Sequence, residues 1–228
     1  MPIDHAVVSA PEWEQARLRL LEKEKVLTRL RDELSRERRA LPWERVDKTY
    51  VFDGPSGRET LADLFDGRSQ LVVYYFMFPP EWDNGCKSCS WWADNFERNV
   101  VHLAHRDVTL AAVSHAPLAK LDAFRQRMGW TFKWVSGADG EFSRDYRASS
   151  RPETNASGEV IYNFVPTLCV FYRDADGGIY HTYSCYARGV EMLNAGYHYL
   201  DLVPKGRDEA GLSFPMAWLR HRDGYGER

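Results

Sequence analysis

Cys86-Lys87-Ser88-Cys89 sets two thiols two residues apart, a spacing suited to thiol–disulfide exchange. A thiolate at the first cysteine can attack a disulfide sulfur. The second thiol can then attack the mixed disulfide, close a small ring and release a reduced product. The first thiol must therefore ionise near neutral pH, because the thiolate is the nucleophile. A helix N-terminus favours that form through the partial positive charge of its unpaired amides. Asp83-Asn84-Gly85 reads as a turn, with an apolar strand before it and helical spacing after it, so Cys86 is expected at or near a helix N-terminus. Lys87 adds a cation and Asp83 an anion, and their spacing leaves open which stands closer to the sulfur. Trp82, in the loop, is expected to form an apolar lip for a substrate. Trp91 and Trp92 are neighbours on the following helix and cannot both face one way, so at least one belongs to the core.

Other chemistries for the pair are weaker. Structural zinc needs about four ligands, and there is no second C-x-x-C; His102 and His105 read as a solvated helix face. An inert pair of thiols is the remaining alternative. The electrons of an exchange reaction reside on the thiols themselves, so no cofactor is expected. Cys169 and Cys185 fall on two strands joined by Asp174-Ala175-Asp176-Gly177-Gly178. With the turn centred near Asp176, Cys185 is expected opposite Thr167, where it would be a third thiol or simply a small buried strand residue. Arg188-Gly189 could hold an anion, although an arginine at a strand–helix junction is more often a surface ion-pair partner.

Composition sets the frame for this chemistry. The chain has 228 residues, 44% of them hydrophobic, with a net charge of -3; this suits one core with extensions. No run of like charge is long enough for a nucleic-acid arm, and the eight tryptophans are dispersed, so nucleic acid is not an expected partner. The longest apolar run, residues 71–80, is too short to span a bilayer. The first twelve residues show no basic segment leading into an apolar one, so no secretory signal is expected. A cytoplasmic location follows, and there structural disulfides are rare.

The elements that must position the cysteines read in order along the chain. Residues 9–40 form one long helix, opened by Ser9 with Glu12 as a capping box and ended by Pro42. Trp13, Leu20, Leu27, Leu34 and Leu41 recur every seven residues, but Lys23 and Glu37 interrupt the companion positions. A helix packed on its own domain fits this broken pattern better than a homodimer arm, which stays open. Strands are expected at 49–53, 71–78, 108–114, 132–135, 167–172 and 179–185, and helices at 91–104, 117–128 and 190–200, with a short helical turn at 61–65. The order β-α-β-α-β-β-α is that of a three-layer α/β/α sandwich. The divisions expected are an N-terminal helical extension at 1–45, an α/β domain at 46–203 and a C-terminal tail packed on it at 204–228.

Asn163-Phe164-Val165-Pro166-Thr167-Leu168 puts a proline at the start of a strand and resembles the cis-proline strand of thioredoxins. That resemblance implies a thioredoxin-like fold in which Val165 and Pro166 face the C-x-x-C and present the substrate. The segment 71–86 and the stretch 124–146, with Gly129-Trp130-Thr131-Phe132, Asp139-Gly140-Glu141-Phe142 and Tyr146, are similar to peroxiredoxins. Asp83 stands where those proteins carry Thr or Ser, and the strand at 167 opens without their arginine; both departures weaken a peroxidase reading. Over nearly its full length the chain resembles a bacterial family of thioredoxin-like proteins described as predicted dithiol–disulfide oxidoreductases. The matching features are Leu41-Pro42-Trp43, Trp91-Trp92-Ala93-Asp94-Asn95-Phe96, Tyr186-Ala187-Arg188-Gly189, Leu200-Asp201-Leu202 and Gly206-Arg207-Asp208. The resemblance implies that fold and that reaction type and names no substrate; with Cys86 attacking and Cys89 resolving, the expected partner is a protein or small-molecule disulfide or dithiol. A peroxiredoxin-like thiol peroxidase and a non-catalytic binding protein of the same fold are the alternatives.

Overall fold

The computed structural model describes residues 5–138, 140–148, 153–154, 160–161 and 164–226. Asp139 and Asn163, which carry part of the resemblances above, lie outside these residues, as do the first four residues. Two compact units are present, 1–42 and 43–228.

The first unit is helix α1 (Ala10–Arg39), with Pro11 in its first turn. The Glu12 carboxylate accepts the Ser9 N–H at 2.9 Å and the Ser9 hydroxyl at 2.7 Å, which satisfies an amide that the helix itself cannot reach. None of its residues is buried. Among the described residues, no helix is long and apolar enough to cross a membrane.

The second unit is built on one eight-stranded sheet. Its elements are β1 (Glu44–Arg45), β2 (Val51–Gly54), β3 (Gly57–Thr60), β4 (Gln70–Tyr75), α2 (Lys87–Glu97), α3 (Val100–Ala104), β5 (Val108–Ser114), α4 (Leu118–Met128), β6 (Lys133–Ser136), α5 (Glu141–Asp145), a separate pair β7 (Glu153–Thr154) and β8 (Val160–Ile161), then β9 (Thr167–Arg173), β10 (Ile179–Tyr186) and α6 (Ala195–Leu200). The sheet order is β1-β10-β9-β4-β5-β6-β2-β3. β4, β5 and β6 run parallel, while β9 is antiparallel to both β4 and β10. Alternate residues of the central strands feed two cores, as the strand period of two requires. Tyr74, Phe76, Leu110, Ala112 and Leu168 pack against Cys89, Trp92 and Phe96 of α2 and against Leu121, Phe124 and Met128 of α4. Leu71, Val73, Tyr75, Ala111, Val113 and Phe171 pack on the other face against Leu64, Phe65, Phe142 and Tyr146. Helical segments thus cover both faces. The second unit is a three-layer α/β/α sandwich, the architecture expected from the sequence.

Local differences from the sequence reading have identifiable causes. The helix expected at 91–104 begins at Lys87 and breaks into α2 and α3 around Asn99. Asn95 donates its side-chain amide to the Trp91 carbonyl and Asn99 to the Asn95 carbonyl, both at 2.8 Å; such side chains compete with the helix backbone. The helix expected at 190–200 is a 3₁₀ segment, Ala187–Leu193, followed by α6. Buried Asn194 opens α6 by accepting the Gly196 N–H at 2.9 Å. Cys185 lies opposite Leu168, not Thr167, because the ladder between β10 and β9 slips between His181 and Tyr183. One extra residue at that irregularity shifts everything after it by a position.

Candidate active site

Cys86 is the N-cap residue of α2, with φ −54° and ψ 130°. Its extended backbone lets the sulfur turn back over the first helical turn, where it accepts the Cys89 N–H at 3.4 Å. The Cys86 carbonyl meanwhile receives the Ser90 N–H and the Ser90 hydroxyl, each at 2.9 Å. Before the cysteine, the loop is tied down at four places. Cys86 N–H donates to the Met77 carbonyl at 3.1 Å, Lys120 to the Pro80 carbonyl at 2.7 Å, and Arg127 to Asn84 Oδ1 at 2.5 Å. His221 donates to the Gly85 carbonyl at 2.8 Å. Gly85 has no room for a side chain, since a Cβ there would stand 2.6 Å from Phe76 Cε1.

The two thiols occupy unlike environments. Cys86 is half-buried and Cys89 is buried, and all four cysteines of the chain are thiols. Hydrogen bonds from the Cys89 thiol, from the Cys89 and Ser88 amides and from the Ser88 hydroxyl lower the Cys86 pKa to about 7, against the opposing effect of burial. Lys87 and Asp83 are not among these causes. Burial, followed by the bond to the neighbouring sulfur, pushes the Cys89 thiol well up, and the Tyr74 hydroxyl offsets part of this by donating to it. Tyr74 is itself pushed up by burial. The arrangement favours one thiolate at the helix start and a protonated thiol one turn on.

A cavity of ≈ 480 Å³ adjoins Cys89. Tyr74, Ser88, Cys89 and Trp92 form one side and Pro166 contributes beside them, while Arg207, Glu209, Pro215 and Met216 of the C-terminal tail close the other. The Glu209 carboxylate organises this wall. It accepts Tyr197 Oη at 3.1 Å, Met216 N–H at 2.9 Å and Trp218 Nε1 at 2.7 Å. Arg207 lies 3.8 Å from the Tyr197 ring centroid and pairs with Asp201 at 2.7 Å and Glu191 at 2.5 Å. These acids raise the Arg207 pKa further, and Arg207 in turn lowers that of Glu191. Trp92 donates Nε1 to the Val190 carbonyl at 2.8 Å, and Trp91 packs on Tyr197 and Trp218 outside the cavity lining.

The residues singled out from sequence are only partly brought together. Cys86 and Cys89 meet at the start of α2, and Pro166 shares the cavity wall with Cys89. Trp82 sits exposed in the loop, and neither it nor Val165 lines the cavity. The cis peptide implied by the thioredoxin resemblance is absent: among the described residues every peptide, Val165–Pro166 included, is trans. The trans form is intrinsically favoured even before proline, and hydrogen bonds on both sides accommodate it here. Val165 N–H donates to the Ala148 carbonyl at 2.9 Å and Ala187 N–H to the Pro166 carbonyl at 2.8 Å. Tyr74, Tyr197, Glu209 and Met216 are absent from the sequence reading of the site: Tyr74 sits within the apolar run at 71–78 and reads there only as a buried strand residue, and the three later residues carry no periodic signal. Among the described residues, no group of three or more His, Cys, Asp or Glu side chains is placed to hold a metal ion.

Comparison with known proteins gives the following. A peroxiredoxin Q of Xanthomonas campestris is similar in structure at 17% identity, covering 64% of this chain and 85% of that one, with a TM-score of 0.49. A peroxiredoxin Q of Xylella fastidiosa matches at 17% identity over 69% and 95% of the two chains, TM-score 0.49. The peroxidoxin BcpB of Mycobacterium tuberculosis matches at 14% identity over 67% and 93%, TM-score 0.49. No curated protein matches significantly. The family described as "Bacterial protein of unknown function (DUF899)" matches residues 2–225, and the chain belongs to that family.

Proposed function

We propose that the protein is a dithiol–disulfide oxidoreductase in which Cys86 attacks and Cys89 resolves. The observation that carries this reading is the placement of the two sulfurs: Cys86 caps α2 and accepts the Cys89 N–H at 3.4 Å, while Cys89 is buried one turn on. Hydrogen bonds at the helix start draw the first thiol down to about 7, and burial pushes the second up. An attacking thiol works best with a pKa near the ambient pH, and the resolving thiol must stay protonated until the mixed disulfide has formed. Once Cys86 is bonded to substrate, its negative charge is gone. Burial still disfavours the Cys89 thiolate, but the hydrogen bond to the Cys86 thiolate and its repulsion, which added to burial in holding the proton, are gone, and Cys89 can attack the Cys86 sulfur. Pro166, beside Cys89, is assigned to substrate contact together with Val165, and Trp82 to an outer apolar lip.

The test is a redox titration in glutathione buffers, with free thiols trapped by alkylation and located by mass spectrometry. A reversible Cys86–Cys89 disulfide is expected, with a potential between about −270 and −120 mV, and its value separates a reductant from an oxidant. Absence of that disulfide at every poise overturns the reading. Fast peroxide consumption that is lost in Cys86→Ser would overturn it in favour of a thiol peroxidase.

A further inference from the structure

The main chain around Pro166 is closed to an incoming strand. Val165 N–H and the Pro166 carbonyl are engaged as described, and the Val165 carbonyl receives the Thr167 hydroxyl at 2.8 Å. A peptide substrate that adds itself as a strand needs such groups free. What lies open beside Cys89 is a cavity, and its ≈ 480 Å³ falls within the range of small-ligand sites, about 300–1,000 Å³. Its surface is mainly apolar, with Tyr74, Trp92, Val190 and Met216 prominent, and its charges are Arg188 and Arg207 against Glu191 and Glu209. Glu209 is occupied by Tyr197, Met216 and Trp218, and Glu191 by the two arginines.

Two further features mark this wall. Ala187 (φ 47°) and Met216 (φ 69°) line it in the left-handed region, and Asp208 (φ 51°) sits between the lining residues Arg207 and Glu209. These are three of the six described non-glycine residues with positive φ. Side chains with a Cβ rarely adopt this conformation, and strain of this kind collects at ligand clamps and active sites. The two cations of the lining also differ. Arg207 is saturated by Asp201 and Glu191, whereas the Arg188 side chain is 88% exposed and, among the described residues, pairs with Glu191 alone, at 3.2 Å. Arg188 is thus the lining cation with donors to spare.

Building on the proposed exchange reaction, we propose that this cavity receives a small aromatic or aliphatic disulfide carrying an anionic group, with Arg188 facing the anion. Cys86 is not itself a lining residue, but its sulfur stands 3.4 Å from the amide nitrogen of the lining residue Cys89, so the reacting S–S bond is placed at the cavity edge beside Cys89. There the Cys86 thiolate attacks one sulfur of the bound disulfide; the S–S bond breaks, and the first organic thiolate leaves and takes a proton from solvent. Cys89 then gives up its proton, and its thiolate attacks the Cys86 sulfur. The second organic thiolate leaves and is protonated. Two electrons pass from the protein dithiol to the substrate, and the protein ends as the Cys86–Cys89 disulfide.

Stopped-flow mixing of the pre-reduced full chain with three probes tests this: bis(nitrobenzoate) disulfide, dipyridyl disulfide and oxidised glutathione. The observed rate is expected to saturate with concentration for the two aromatic probes and to stay linear for glutathione, whose body is polar. Arg188→Gln should raise the half-saturating concentration of the bis(nitrobenzoate) probe about threefold and leave that of the neutral dipyridyl probe unchanged. Linear dependence for all three probes, or a saturable reaction only with a disulfide-bonded protein such as insulin, overturns the proposal. Mass mapping of the product separates the two levels of failure. A Cys86–Cys89 disulfide formed with linear kinetics removes the cavity ligand and leaves the exchange reaction standing. If no such disulfide forms, the exchange reading falls. Cavity binding is then read alone, by calorimetric titration with the unreactive S-methyl nitrobenzoate thioether. Saturable binding weakened by Arg188→Gln sustains the ligand class, and no binding removes it.

Discussion

His221 Nε2 lies 2.8 Å from the Gly85 carbonyl oxygen, so a residue of the C-terminal tail donates to the peptide directly before Cys86. A carbonyl can only accept, which assigns the proton to Nε2. The His221 ring also meets Phe124 edge-on, with centroids 5.3 Å apart. Directly after it the tail is pinned by Arg222–Asp94 at 3.1 Å and Arg127–Asp223 at 2.6 Å. His221→Ala removes one hydrogen bond and one ring contact, and should cost about 1–2 kcal/mol in urea unfolding. The loop before Cys86 should loosen with it, and the pH midpoint of Cys86 alkylation should move up towards that of an ordinary thiol. Unchanged alkylation in a destabilised protein would limit His221 to a packing role.

The pH dependence of the Cys86 thiol has a definite sign. Its folded pKa, about 7, lies below the ordinary thiol value of 9.0, so between these limits the unfolded chain binds a proton that the native protein does not. Stability should therefore rise with pH across this window and be lost as pH falls through about 7. The gain is on the order of 3 kcal/mol at most. Cys89 works the other way, because burial disfavours its thiolate in the fold; its contribution declines as pH rises past the ordinary thiol value. Urea midpoints at several pH values for wild type and Cys86→Ser isolate the first effect. The variant should show a flatter profile between pH 7 and 9, and parallel profiles would refute the lowered pKa.

Tyr74 bears on the second step and not the first. Its hydroxyl donates to the Cys89 sulfur, and its ring is buried between β4 and α2 in edge contact with Phe96 at 4.9 Å. Tyr74→Phe keeps the ring and removes the donor. Loss of about 1 kcal/mol from a thiolate-directed hydrogen bond slows resolution about fivefold, while the attack by Cys86 keeps its rate. In a single-turnover reaction followed by acid quench, the mixed disulfide on Cys86 should accumulate in the variant. Equal slowing of both steps would show that the substitution disturbs the site as a whole.

What could be read before the structure, and what could not, divides along a physical line. The apolar run at 71–78, the turn at 83–85 and the cysteines that follow are local signals, and their order alone located Cys86 at a helix start. Continuous apolar strands likewise announced a sheet covered on both faces. The far wall of the cavity was illegible, because it depends on Glu209 joining Tyr197, Met216 and Trp218 across a segment with little regular structure. No periodicity encodes such a junction. The slip of Cys185 by one position has the same origin: an irregularity at His181–Tyr183 leaves no mark in residue types. Gly206-Arg207-Asp208 was noticed as a family feature, yet the paired role of Arg207 with Asp201 and Glu191 emerges only from the folded tail.

Gly85 offers a steric test of how closely the loop must approach the core. A Cβ at this position would fall 2.6 Å from Phe76 Cε1 and 3.0 Å from Phe124 Cε1. Phe76 is fully buried and Phe124 nearly so, and both pack against Trp130 and Trp134, so neither ring has space to retreat. Gly85→Ala must move the loop instead, at a cost of about 1–3 kcal/mol for overpacking. That movement acts on the Gly85 carbonyl held by His221 and on the Cys86 amide held by Met77, and so on the angle at which the Cys86 sulfur meets the Cys89 N–H. The variant should unfold at lower urea and show an alkylation midpoint shifted up from about 7. Wild-type stability together with a wild-type midpoint would mean that Phe76 repacks freely, and that the close approach does not set the Cys86 environment.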